Sequence, residues 1–298
     1  MALPRRTAEN NLLAIAAMVV ACFFYLLGDS LVKLTSEQLP VPQIIFVRGL
    51  MTTVLVAGAV AASGALAGWR HAFDRPVLAR SAFDAVTTLL IVNALAHMAI
   101  ADATAVINSV PIVATFLAVV ILREHVGIRR WAAVFAGFAG VLLVLRPSGA
   151  DFNEYGLLAL AATLTISGRE IVTRRIADEV PSLVVTLAAV IVVTLAGAAA
   201  VAVTRVWVTL DGRSLAMLAL ASVMLFGAYH YSVVAIRLGE ISLSAPFRYT
   251  VIVWGLVAGY VIWGDVPSLT ALAGMGLITL AGLYVIHREH RMRRRGRG

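Results

Sequence analysis

The sequence predicts an all-α integral membrane protein, ten transmembrane helices arranged as two inverted five-helix repeats. Three observations predict it. Of its 298 residues 61% are apolar and 13% charged, with a mean hydropathy of +0.93, against about 25% charged in a soluble domain. The apolar residues fall into ten runs near the ~20 residues a helix needs to cross hydrocarbon, without the alternation of a membrane barrel strand. Polar residues also recur at one constant spacing. This balance leaves too few charges for the surface of a soluble enzyme or a disordered chain. A single cysteine, Cys22, excludes a disulfide framework and a cysteine-based metal site.

The runs place spans at 11–34, 43–66, 77–98, 102–122, 131–146, 155–176, 182–204, 214–236, 242–263 and 270–287. The first follows Arg5 and Arg6 as a signal peptide would. It is longer than a signal core, however, and leads into Asp29 and Lys33 without a clean cleavage site, so it reads as a span. Lys/Arg asymmetry orients the set. With the N-terminus inside, the outer segments hold Lys33, Arg146, Arg205 and Arg213, Arg48, Arg169 and Arg248 lie inside spans, and the other 17 of the 24 Lys/Arg are inner. Both termini are therefore expected in the cytoplasm of a cell whose inner membrane holds the chain. The same asymmetry accounts for the net charge of +8 without a nucleic-acid partner, since no aromatic residues interleave with the C-terminal arginines. That basic tail, 288–298, is suited to anionic lipid headgroups.

Shifting the chain by 141 residues sets Asp29 on Glu170, Lys33 on Arg174, Glu37 on Asp178, Pro40 on Pro181 and Glu124 on Asp265. Among so few polar residues, five such matches indicate a duplication. Each half holds five spans, an odd number, so the second half enters from the opposite face. The repeats are expected at 11–147 and 152–287.

Ala101-Asp102-Ala103-Thr104-Ala105 leads to Pro111, Leu122-Arg123-Glu124, Trp131, Gly137, Gly140 and Arg146-Pro147. The second half has Ala245-Pro246-Phe247-Arg248-Tyr249-Thr250, Trp254, Gly264-Asp265 and Gly274. In order and spacing these segments resemble the drug/metabolite transporter superfamily, EamA type, over roughly 11–287. Two departures are Asp265, where the family usually has Glu, and the lack of a second-half proline aligned with Pro111. The resemblance implies a central cavity lined by spans 1, 3, 4, 6, 8 and 9. It also implies secondary transport by alternating access, with export of amino acids, aromatic ones included, as the first reading. Import of a nucleotide-like or sulfonium metabolite is the alternative. The partners implied are a small-molecule substrate and the bilayer, with the chain a monomer or homodimer.

Ionisable groups at bilayer depth cost about 2.5–3.5 kcal/mol each unless they face protein or water, so each is informative. Asp29 and Lys33, four apart on one helix face, form either a gate or an interfacial ion pair, with Arg48 as another partner for Asp29. Glu170 and Arg174 repeat the pattern on span 6. Arg169 and Arg248 can each hold a substrate carboxylate bidentately or serve as buried partners of Glu170 or Asp84. Asp84 also follows Arg80 by four residues, as an end pair would.

His230, between Tyr229 and Tyr231, is either a proton shuttle or a hydrogen-bonding partner of a neighbouring helix. Tyr25, Tyr249 and Trp254 offer stacking surfaces at mid-depth, while Trp263 reads as an interface anchor. Asn93 and Asn108 add hydrogen-bonding groups. Pro111 lacks the N–H that would pair a carbonyl one turn earlier, so a kink is expected beside Asn108. Tyr249 occupies the position equivalent to Asn108, and the two are expected to face each other. Gly64-x-x-x-Gly68, Gly137 and Gly140 are expected to let helices approach closely. No Walker, H-E-x-x-H or G-x-S-x-G sequence is present, so neither an enzyme nor a cofactor or metal is expected.

Overall fold

The computed structural model describes residues 8–122, 128–146, 153–173, 175–177, 179–238 and 241–295. Among them all regular structure is helical. The first half comprises α1 (Ala8–Ser36), α2 (Val41–Ala62), a 3₁₀ segment Ala65–Phe73, α3 (Arg75–His97), α4 (Ile100–Ile107), α5 (Val110–Leu122) and α6 (Ile128–Leu145). The second comprises α7 (Tyr155–Thr173), α8 (Ser182–Thr204), α9 (Gly212–Leu238), α10 (Ile241–Ser244), a 3₁₀ segment Ala245–Tyr249, α11 (Thr250–Ala258), a π segment Gly259–Trp263 and α12 (Leu269–Arg295). Among the described residues nine stretches are long and apolar enough to cross a bilayer, and Trp131–Leu145 is a tenth, shorter apolar helix. The ten fall where the apolar runs predict them.

The repeat is visible in how helices begin and end. Pro40 and Pro181 each stand just before a helix, at φ −60° and −61° with extended ψ. Their fixed φ and missing N–H suit a helix entry, and α2 and α8 start 141 residues apart. At the far ends Gly64 (φ +71°) and Arg205 (φ +54°) occupy the left-handed region, again 141 apart. Glycine adopts this conformation freely, whereas an arginine is strained there by about 1 kcal/mol. Gly64 is thus a turn residue with open space where a Cβ would be; the close approach expected of Gly64-x-x-x-Gly68 is carried by Gly68 alone, against Pro181.

The chain divides into two compact units: Met1–Leu26, Ala99–Gly156 and Gly227–Gly298; and Leu27–Met98 with Leu157–Phe226. In the first, α6 packs along α12, its repeat equivalent. A Cβ on Gly140 would lie 2.9 Å from the Gly274 carbonyl oxygen, and one on Gly274 2.6 Å from that of Gly140. Small residues let the two backbones touch, the usual means of association where apolar surface alone gives no preference over lipid. In the second unit α2 packs along α8, also repeat equivalents, and the Thr53 and Thr194 hydroxyls, 141 residues apart, meet at 3.2 Å. Val32, Ile44, Ile45, Val92 and Leu218 form the core there. Large apolar residues such as Val54 and Leu195 point outward, as a hydrocarbon solvent requires.

Candidate functional site

In the first unit, span 4 is broken. Its first part ends at Asn108, whose N–H donates to the Thr104 carbonyl. The Ser109 hydroxyl donates to the Val106 carbonyl at 2.6 Å. Beyond it, the Ile112 and Val113 N–H groups both donate to the Ser109 carbonyl, because Pro111 has no N–H to continue the ladder. The expected kink is therefore an interruption. The Asn108 side-chain amide donates back to Thr104 at 2.8 Å.

Span 9 is broken at the equivalent place. The 3₁₀ segment Ala245–Tyr249 has a proline in its first turn, Pro246. The sequence lacks a proline aligned with Pro111, yet Pro246, six residues before that aligned position, interrupts the helix all the same. Asn108 and Tyr249, 141 apart, each close an interrupted stretch. The Tyr249 ring is buried and lies over α12, where a Cβ on Gly282 would overlap its hydroxyl. Asn108 thus engages Thr104 of its own helix, and Tyr249 engages α12.

Three buried side-chain atoms on this span have no protein hydrogen-bond partner among the described residues: Ser244 Oγ, Tyr249 Oη and Trp254 Nε1. Buried polar atoms are almost always paired, so their concentration on one broken helix is unusual. The Cys22 thiol on α1 donates to the Arg248 carbonyl at 3.5 Å, a contact that no pattern in the sequence signals. The Arg248 side chain is exposed. Aromatic rings line the same stretch of α1: Phe23 meets Trp254 edge-on at 5.3 Å, Tyr25 meets Tyr229 at 5.9 Å and Phe24 meets Tyr231 at 5.6 Å. His230 is exposed, its ring 5.5 Å from that of Tyr231. Sequence reasoning also missed Asp102 as a site residue. It lies within electrostatic reach of both Arg146 and Asp265, and its one cue was an acid at the start of an apolar span.

The second unit holds the other charges. Asp84 on α3 accepts a hydrogen bond from Arg169 Nη1 at 2.8 Å on one oxygen, and its other oxygen forms an ion pair with Arg80 Nη1 at 2.9 Å. Both sequence readings of Asp84 hold at once, with Arg169 as its half-buried partner. Lys33 Nζ donates to the Leu95 and Met98 carbonyls at 3.0 and 2.8 Å, so this ammonium caps the last turn of α3. Arg48 is the cation that acts electrostatically on Asp29, as the second of the two expected partners. Asn93 donates to the Leu89 carbonyl of its own helix at 2.7 Å. Glu170 is half-buried on α7, and Arg174 lies outside the described residues.

Residues 12–146 match the EamA-like transporter family. The whole chain is 28% identical to the S-adenosylmethionine uptake transporter of Rickettsia felis over 64% of each chain. It is 27% identical to the riboflavin transporter of Rhizobium johnstonii over 76% of this chain and 73% of that one. It is 24% identical to the pseudopaline exporter of Pseudomonas aeruginosa over 88% and 92%. The chain thus spans about 64% of the length of the S-adenosylmethionine transporters it matches. A solved crystal structure 18% identical to it superposes with a TM-score of 0.65, covering 93% of this chain and 98% of that one, which shows a shared fold.

Proposed function

We propose that the chain is a secondary transporter that moves a small metabolite by alternating access, and that its cargo combines a flat ring with an amino-acid-like zwitterion. The observation that carries this is the pair of interruptions at equivalent repeat positions, Asn108 and Tyr249. Broken helices in corresponding places of two halves are the feature that builds cargo sites at mid-membrane. Ser244, Tyr249 and Trp254 supply unpaired hydrogen-bonding atoms on one of them. Tyr25, Tyr229 and Trp254 supply ring faces, and Arg248 an exposed guanidinium for a carboxylate. The repeats run over 11–147 and 152–287.

S-adenosylmethionine, the cargo named for the Rickettsia relatives, has both a ring and a zwitterion, as do aromatic amino acids. On direction, export is the first reading, favoured by the exporter relative that aligns over 88% of this chain, and uptake, as named for the Rickettsia relatives, is the alternative. The test is a panel of radiolabelled S-adenosylmethionine, riboflavin, tryptophan and glycine in proteoliposomes, with and without a proton gradient. Saturable flux of the ring-bearing zwitterions, weakened in Arg248→Ala and Tyr249→Ala, is expected. Flux no greater than in empty liposomes for every compound sinks the reading.

A further inference from the structure

The 3₁₀ segment Ala65–Phe73 has two unlike sides. One is seated on protein. A Cβ on Gly68 would stand 3.0 Å from the Pro181 ring at the start of α8, and Ala72 packs on the buried cluster of Val77, Val180, Val185 and Ala188. The other side is bare. Trp69 and Phe73 are 55% and 67% exposed, and their rings meet edge-on at 5.9 Å. Arg70, His71 and Arg75 are exposed beside them, and His71 lies 2.9 Å from Asp74.

The position of the segment in the chain says what covers those rings. It begins three residues after α2 ends and stops two residues before α3 begins, and α2 and α3 are both spans. It therefore lies where the helices leave hydrocarbon, the depth at which tryptophan rings are enriched. The equivalent stretch of the second repeat, 206–214, answers the same need differently. Its Trp207 ring rests 6.3 Å from Phe46, and Gln43 clamps Val208 through both its amide atoms, at 2.7 and 2.9 Å. Among the described residues, the ring neighbour of Trp69 is Phe73, which is itself exposed.

We propose that residues 65–75 form an interfacial anchor, with Trp69 and Phe73 seated among the headgroups of the bilayer that α2 and α3 span, and Arg70 and Arg75 on the phosphates of anionic phospholipids. Net positive charge among exposed aromatics fits an anionic membrane surface, each arginine contributing about fivefold in affinity.

The full chain in liposomes tests this. In a variant retaining Trp69, with Trp131, Trp207, Trp254 and Trp263 changed to Phe, emission is expected to be quenched more by lipids brominated near the headgroup than near the chain end. Aqueous iodide should quench it little. In the unaltered chain, backbone hydrogen exchange across 65–75 should slow when phosphatidylglycerol replaces phosphatidylcholine, and Arg70→Gln/Arg75→Gln should abolish that slowing. Strong iodide quenching overturns the proposal. So does shielding from both quenchers that depends on the protein-to-lipid ratio, which would mean a second copy covers the rings. Should the single-tryptophan variant not fold, exchange in the unaltered chain decides alone, and equal rates in the two lipids overturn it.

Discussion

Asp84 holds two guanidiniums at once, and that double engagement sets what its removal does. The side chains of Arg80, Asp84 and Arg169 are 14%, 11% and 24% exposed, so their charges are largely out of water. Taking away the carboxylate alone leaves two arginines facing each other without a counter-charge, a loss of about 3 kcal/mol. Taking away all three charges leaves nothing unpaired. Asp84→Asn is therefore expected to lower the melting temperature in detergent markedly, while Asp84→Leu/Arg80→Met/Arg169→Met recovers most of it. A single variant as stable as the parent would show that the cluster contributes no stability. Because Asp84 and Arg169 belong to the same compact unit, their bond braces α3 against α7 within one body, the second of the two roles the sequence allows Arg169.

Among the elements, α9 offers the clearest pH-dependent one, because its first turn is capped outside the span. Asp211 accepts the Ser214 N–H at 2.8 Å. The Ser214 hydroxyl, and then its N–H, hold the Asp211 carboxyl below the usual carboxylate range. A carboxyl lowered by folding contributes stability above its unfolded pKa of about 3.9, lost as pH falls through the lower folded value. Hydrogen exchange in residues 212–216, corrected for its intrinsic pH dependence, should thus be flat above pH ~5 and rise below ~4. Asp211→Asn caps nearly as well and does not titrate, so the rise should vanish in it; a rise that persists assigns the effect elsewhere. This element also shows what sequence can carry. Apolar length fixes a span because hydrocarbon thickness is constant, so all ten were readable. The partners of Lys33 were not, since spacing along a helix points to Asp29 while the carbonyls it meets lie 62 and 65 residues away. The break in span 9 was hidden for a related reason. A proline interrupts a helix wherever its missing N–H falls, and Pro246 does so without matching Pro111 in register.

At the scale of the whole molecule, the duplication has a consequence for sidedness. Repeat equivalents pack on one another in each unit, α6 with α12 and α2 with α8, and the Thr53–Thr194 contact joins residues at the repeat spacing itself. Two equivalent residues can touch in this way when an approximate twofold axis relates the halves. For spans, an axis lying in the membrane plane needs an odd number of crossings per half, and five meets that condition. The chain's two ends are then expected on one side, and the Lys/Arg asymmetry predicts that this side is the cytoplasm. In a Cys22→Ser background, cysteines introduced as Arg205→Cys and Arg213→Cys are expected to react with a membrane-impermeant maleimide in intact cells. Those introduced as Arg70→Cys and Arg291→Cys should react only after the membrane is opened. Labelling of positions 205 and 291 from the same side would mean an even number of crossings between them, against the three that α9, span 9 and α12 provide, and the inverted arrangement would fail with it.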